Sequence, residues 1–89
     1  MQTKKECYFC KIQKDLDVHH ALTASNRKKA DMDGLWVYLC RRDHRNLHDH
    51  NVGELKLRQE AERAWLDKYR KTVDDWISRY GKNYLDAQP

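Results

Sequence analysis

The residues of this chain that bind metals or move protons all stand in its first part. All three cysteines and all five histidines precede Gly53 in a sequence of 89 residues. Cys7 and Cys10 form a C-x-x-C pair, and Cys40 follows about 30 residues later. Thiolates in this pattern are typical of a tetrahedral zinc site. The sequence therefore predicts one structural Zn²⁺ held by Cys7, Cys10 and Cys40.

The fourth zinc ligand has two candidates. Asp43 would repeat the two-residue gap of the first pair, whereas His44 would supply the nitrogen donor that is more usual in structural sites. We favour Asp43, which leaves His44 and His48 one helical turn apart. A zinc finger of two cysteines and two histidines is rejected, because its spacing would be too long and Cys40 would have no role.

The histidines form a second group, the adjacent pair His19 and His20 together with His44 and His48. Neighbouring side chains on a strand point to opposite faces, and residues four apart on a helix share a face. One ring of the pair can thus join His44 and His48 on a metal ion while the other acts as a base. Three imidazoles leave coordination positions open for phosphate and water, which is a catalytic arrangement.

These side chains need two strands and a helix to position them. Residues 16–22 alternate in polarity and predict a short strand. Residues 35–39 are rich in aromatic and β-branched types and predict a second strand beside the first. The polar stretch 23–34 is expected to be a long exposed loop. The spacing of His44 and His48 predicts a short helix after Cys40.

The second part of the chain predicts two amphipathic helices. Apolar residues recur at helical spacing after Gly53, and a capping-box pattern at Thr72 introduces another helical stretch that Gly81 ends. Trp65 and Trp76 are assigned to the core. The expected fold is a single α+β domain over residues 1–89. It comprises a zinc-stapled core over 1–52 and a helical extension over 53–85.

Composition narrows the class of protein. Only 39% of the residues are hydrophobic, so a chain this short needs a staple such as zinc. The net charge of +4 favours a polyanionic partner. The mean hydropathy is −1.11, and no apolar run approaches the roughly 18 residues that span a bilayer. With no apolar signal before Cys7, we expect a cytoplasmic protein without a membrane partner. The oligomeric state stays open.

Taken in order, Cys7-x-x-Cys10, Val18-His19-His20, and Leu39-Cys40 followed by His44 and His48 resemble the HNH endonucleases. The likeness is greatest to small phage-encoded, zinc-stabilised members of this ββα-metal or His-Me finger superfamily, whose core is treble-clef-like. The resemblance implies a DNA endonuclease of low sequence specificity that leaves a 5′ phosphate and a 3′ hydroxyl. It also implies a bacterial host cell as the location.

The resemblance assigns roles to individual residues. His20 would be the general base, and His19, His44 and His48 would hold a catalytic divalent ion, Mg²⁺ or Mn²⁺. The central asparagine of the family falls at Leu35 here, and Asn26 is the candidate replacement. The family's zinc-stabilised members have Cys or His where this chain has Asp43.

Six basic residues are candidates for contact with the phosphates of DNA, although a solvated basic face explains them equally well. They are Arg27, Lys28, Lys29, Arg41, Arg42 and Arg45. The alternative to an enzyme is a catalytically silent, zinc-stabilised module that binds nucleic acid or a host or phage protein. A third interpretation is a structural zinc protein that docks through its C-terminal helices.

Overall fold

The computed structural model describes residues 1–86 and shows a small α+β fold. This part of the chain holds one two-stranded antiparallel sheet and four α-helices. The strands are β1 (Leu16–His20) and β2 (Trp36–Cys40), and the helices are α1 (Arg27–Met32), α2 (Arg41–His50), α3 (Glu54–Tyr69) and α4 (Val73–Tyr80). The predicted α+β class is confirmed at this level.

The sheet separates the two adjacent histidines. His19 pairs with Val37 and His20 with Trp36 across the ladder. His19 is buried, whereas its neighbour Val18 is 52% exposed. Since successive strand side chains point to opposite faces, His19 and His20 leave β1 on different sides, as the alternation predicted.

The prediction of an exposed loop over residues 23–34 is wrong. A 3-10 turn at Ala24–Asn26 runs directly into α1. Ala30 is fully buried and its carbonyl accepts a hydrogen bond from the amide of Leu35, so one small residue anchors the helix. A helix with a single buried position gives no periodic apolar pattern, and the polar composition concealed it.

Helix α2 begins immediately after β2. Cys40 is its N-cap, and the Cys40 Sγ accepts a hydrogen bond from the backbone amide of Asp43 at 3.5 Å. The helix ends at Asn51, which has a left-handed backbone with φ of 56°. The predicted helix carrying His44 and His48 is therefore present, and its first turn is fixed to the last residue of the sheet.

The turn between α2 and α3 packs against the Cys7–Cys10 segment. Gly53 has φ of 80°, and a Cβ atom there would lie 2.8 Å from Cζ of Phe9. A side chain at this position would be both strained and in collision with the ring. Gly53 thus lets the ring of Phe9 lie directly over the turn.

The helices α3 and α4 confirm the prediction for the second part of the chain. Thr72 and Asp75 form the predicted capping box at the start of α4. The rings of Trp65 and Trp76 are buried with centroids 5.5 Å apart. No described helix is long and apolar enough to cross a bilayer. The buried apolar residues are Cys7, Ala21, Leu22, Ala30, Leu35, Val37, Leu39, Cys40, Leu47, Leu57, Ala61, Trp65, Trp76, Tyr80 and Tyr84.

The carboxylate of Asp33 ties α1 to both C-terminal helices. It accepts hydrogen bonds from Nε1 of Trp65 at 2.9 Å, from Nε of Arg79 at 2.6 Å and from the hydroxyl of Tyr80. Burial raises the pKa of Asp33, but the bonds from Arg79 and Tyr80 outweigh it and the pKa is lowered. Asp33 is therefore ionised at neutral pH and holds the helical extension against the sheet core.

Candidate functional site

Three cysteines and one aspartate form the first cluster, which we call the thiol cluster. One ligand atom from each of Cys7, Cys10, Cys40 and Asp43 lies within 4.8 Å of all the others. The Sγ atoms of Cys10 and Cys40 are 3.6 Å apart. This is far beyond a disulfide bond, and it is close to the roughly 3.8 Å between two thiolates 2.3 Å from a tetrahedral zinc ion.

The four residues of the thiol cluster differ in how readily they lose a proton, and a bound metal ion would have to displace the proton of Cys40. Burial raises the pKa of Asp43, but hydrogen bonds from Cys7 and Cys10 outweigh it, so the pKa is lowered and the carboxylate is ionised. Burial raises the pKa of Cys7 as well, yet the backbone amides of Cys10 and Cys40 lower it overall. The pKa of Cys40 is raised to about 11, chiefly by burial. Three sulfurs and one carboxylate oxygen fit Zn²⁺.

Three histidines form the second cluster, which we call the histidine cluster. The Nε2 atoms of His44 and His48 face each other at 3.0 Å. Two nitrogens bound to one ion at about 2.1 Å would be separated by about 3.0–3.4 Å. The ring of His19 lies 5.2 Å from that of His44 and 5.4 Å from that of His48, between centroids. One nitrogen from each ring lies within 4.8 Å of the other two.

Asp43 and His44 are consecutive residues and belong to different clusters. The Oδ2 atom of Asp43 lies 3.1 Å from Sγ of Cys7, whereas His44 faces His48 and His19. Of the two candidates for the fourth zinc ligand, Asp43 is the one that the fold brings to the cysteines.

The carboxylate of Asp17 orients His44. Its Oδ2 atom accepts a hydrogen bond from Nδ1 of His44 at 3.2 Å. Because a carboxylate cannot donate, the proton is on Nδ1 and the lone pair of Nε2 points toward His48. Asp17 was not among the site residues predicted from the sequence, although alternation along a strand places residues 17 and 19 on the same face.

Burial keeps His19 uncharged. Desolvation first, and then the neighbouring rings of His44 and His48, lower the pKa of His19 to about 4. At neutral pH the ring therefore retains a lone pair that a metal ion can use.

His20 lies beside the histidine cluster, and both line a cleft of about 340 Å³. The cleft is lined by Val18, His19, His20, Leu22, Thr23, Ala24, Arg27, His44 and His48. Nε2 of His20 lies 3.0 Å from Oδ1 of Asp31 on α1. The carboxylate accepts a hydrogen bond from Nε2–H, so the lone pair is on Nδ1 and Nδ1 is the proton acceptor of His20. Asp31 was missed because its helix was predicted to be a loop.

Asn26 is not brought to this site. Its side-chain amide donates a hydrogen bond to the carbonyl of Tyr80 at 3.0 Å, and Asn26 does not line the cleft that holds the histidines. The contact joins the start of α1 to the end of α4. The catalytic role that the resemblance suggested for Asn26 therefore has no support from its position among the described residues.

Of the six predicted phosphate contacts, only Arg27 lines the cleft that holds the histidines. Arg27 lines the cleft, and Lys28 lines a shallow neighbouring one with His20 and Asp31. Lys29 instead donates a hydrogen bond to the carbonyl of Arg79 at 2.8 Å. Outside the cleft, on α2, are Arg41, Arg42 and Arg45, and Nε of Arg42 lies 3.7 Å from Oδ1 of Asp43 in the thiol cluster.

A second cleft, of about 320 Å³, adjoins the other side of the histidine cluster. It shares His19, Thr23 and His48 with the first cleft and is otherwise lined by Ala21, Leu47, Asn51, Glu54, Leu57 and Arg58. Helix α3 therefore contributes to the walls around the histidines, and no pattern in the sequence indicated this.

Comparison of the chain with protein-family models, with curated proteins and with solved structures finds no match. The interpretation of the site therefore depends on its own geometry and chemistry.

Proposed function

We propose that this protein is a metal-dependent nuclease of the HNH type that hydrolyses phosphodiester bonds in DNA with little sequence preference. One observation carries the proposal. The facing Nε2 atoms of His44 and His48, 3.0 Å apart, share a cleft with the proton-accepting side chain of His20. Metal-assisted hydrolysis needs a metal ion with open coordination sites and a general base beside it.

The finer architecture that we propose is a zinc-stapled, treble-clef-like ββα-metal finger made of β1, β2 and α2. The thiol cluster supports it, because Cys7 and Cys10 come from the segment before β1, Cys40 ends β2, and Asp43 lies in the first turn of α2. A zinc ion there would tie the N-terminal segment to the helix that carries His44.

The donors of the histidine cluster suit a divalent transition metal better than Mg²⁺. Imidazole nitrogens favour transition-metal ions, whereas Mg²⁺ prefers oxygen ligands. Of the two ions that the family resemblance implies, Mn²⁺ is therefore the better fit to His19, His44 and His48. When bound, such an ion stabilises the negative charge that develops on the phosphate oxygens.

His20 supplies the base in the proposed reaction. Nδ1 of His20 takes a proton from water as the water oxygen bonds to phosphorus and the bond from phosphorus to the 3′ oxygen breaks. The leaving 3′ oxygen takes a proton from solvent, and His20 returns its proton to solvent. Asp31, which accepts the hydrogen bond from Nε2, holds the ring in place and stabilises the imidazolium that forms.

The test is metal-dependent nicking of supercoiled plasmid DNA by the zinc-loaded protein with added Mn²⁺ or Mg²⁺. His20→Ala should reduce the nicking rate by about 10²-fold or more while DNA affinity and melting temperature stay unchanged. The matched control is His50→Ala, because His50 is exposed on α2 and belongs to neither cluster.

Two outcomes would overturn the proposal. Equal losses of binding and rate in His20→Ala would make His20 a structural residue. Absence of nicking with either ion, together with persistent binding of DNA or of a protein, would favour the catalytically silent module.

A further inference from the structure

The histidine cluster borders two clefts, which suggests a path for a polymeric substrate. His19 and His48 line both clefts, with His20 and Arg27 on one side and Glu54 and Arg58 on the other. A phosphodiester in the middle of a strand has chain on both sides. If it is held at the histidines, the two clefts offer a path for the chain on either side of it.

Each of the two clefts carries one arginine among its lining residues. Arg27 belongs to the first and Arg58 to the second. Arg58 is close enough to His19 for its charge to contribute to the lowered pKa of that ring. Because Arg58 lines the same cleft as His19 and His48, its guanidinium is placed to bind a phosphate next to the one being cleaved.

The side chain of Arg58 is held in a fixed orientation. It forms an ion pair with Glu54 one turn earlier on α3, and its guanidinium lies over the ring of Tyr84 at 5.6 Å from the centroid. The backbone amide of Tyr84 donates in turn to the buried carboxylate of Glu62 at 2.7 Å. A guanidinium has five N–H donors, and this bracing reduces the entropy that is lost when the remaining ones bind an anion.

We infer that Arg58 is a phosphate-binding residue and that the scissile strand crosses the histidine cluster from Arg27 to Arg58. The inference rests on the proposed nuclease function and adds the path of the substrate to it. Arg58 lies in the second part of the chain, outside the six basic residues that the sequence suggested. The negative charge of Glu54, the ion-pair partner of Arg58, repels the phosphate and weakens the contact between Arg58 and the phosphate.

The experiment measures the salt dependence of DNA binding. It uses the His20→Ala variant, because a protein without its general base leaves the DNA probe uncleaved. The probe is a fluorescein-labelled DNA duplex of 20 base pairs, followed by anisotropy over a range of NaCl concentrations. Arg58→Ala should reduce the slope of log K against log[NaCl] by about 0.9, the contribution of one phosphate contact. Arg63→Ala is the matched control, because Arg63 is exposed on the same helix and lines neither cleft.

Two further variants separate phosphate binding from a structural role. Arg58→Lys should keep the slope while it loses affinity, because lysine retains the charge but not the bidentate geometry. Glu54→Gln should bind the duplex more tightly. Equal slopes for Arg58→Ala and Arg63→Ala, or weaker binding by Glu54→Gln, would overturn the inference. A parent protein that neither binds the duplex nor, with His20 restored, nicks plasmid would refute the nuclease function itself.

Discussion

Asp17 on β1 and His44 on α2 are joined by a hydrogen bond of 3.2 Å between Oδ2 and Nδ1. This bond crosses from the sheet to the helix and fixes the nitrogen that His44 presents to His48. Asp17→Asn should weaken Mn²⁺ binding by about 10- to 100-fold, the usual effect of losing a carboxylate behind a metal-binding histidine. Calorimetric titration measures it. Asp15→Asn, at the exposed position just before β1, should leave the affinity unchanged.

Asp31 should affect the rate of cleavage without affecting the metal. Asp31→Ala removes the acceptor of the His20 Nε2–H, so we expect nicking to slow by about tenfold or more at unchanged Mn²⁺ affinity. Asp31→Glu should restore part of the rate. Met32→Ala, exposed on the same helix, is the control. A fall in metal affinity in Asp31→Ala would show that Asp31 acts on the histidine cluster instead.

Variants of Asp43 should change zinc binding, and they should show whether Asp43 or His44 is the fourth zinc ligand. Asp43→Ala should weaken zinc binding in competition with a chromogenic chelator, whereas Asp43→Cys should tighten it and leave nicking intact, because thiolate replaces carboxylate in a site that does no chemistry. Complete removal of zinc should unfold the domain. Unchanged zinc affinity in Asp43→Ala, combined with its loss in His44→Ala, would make His44 the structural ligand.

Asp33 should be among the most sensitive positions for stability. Asp33→Asn removes the charge that accepts two bonds from Arg79 and one from Tyr80. We expect the free energy of unfolding to fall by about 2 kcal/mol or more, because charged hydrogen bonds are lost from a largely buried group. Urea denaturation of the zinc-loaded protein measures this change. Asp67→Asn, exposed on α3, should change it little.

Glu62 should make the protein less stable as the pH rises, whereas acid unfolding is a loss of stability as the pH falls. It is fully buried, and its Oε2 atom has no hydrogen-bond partner among the described residues. Burial raises its pKa, so above the ordinary carboxyl value of about 4.3 the unfolded chain ionises more readily than the folded one. This term therefore lowers stability as pH rises.

Glu62→Gln tests this sign. The variant should melt several degrees higher than the parent protein at pH 8, and the difference should shrink as the pH falls toward 5. Differential scanning calorimetry at both pH values provides the measurement. A difference in melting temperature that is constant with pH would show that Glu62 is already ionised in the folded protein.

The parts of the site that the sequence predicted depend on short-range spacing. The alternation along β1 places His19 and His20 on opposite faces, and the interval of four residues places His44 and His48 together on α2. Such regularities follow from the geometry of one strand or one helix. The strands β1 and β2, with α2 and the two C-terminal helices, were predictable for the same reason.

The parts that the sequence did not predict depend on packing between elements. Asp31 reaches His20 only because α1 exists, and this helix has a single buried residue, Ala30, that could have revealed it in the sequence. Arg58 lies on α3 and lines a cleft with the histidines. The amphipathic pattern of α3 predicts which face packs against the core, but it does not predict which residues lie next to its polar side chains. Asn26 was chosen for its chemical type, and its hydrogen bond to the carbonyl of Tyr80, 54 residues away, could not be read from the sequence.

The consecutive placement of Asp43 and His44 fixes the length of the chain around them. Each residue of an α-helix advances about 100° round the axis. One residue inserted between Cys40 and His44 would rotate His44 and His48 away from β1 while Cys40 stayed in the sheet. A deletion would rotate them the other way. The segment from Cys40 to His48 can therefore vary at outward positions such as Arg41 and Arg45, but it cannot tolerate insertions or deletions.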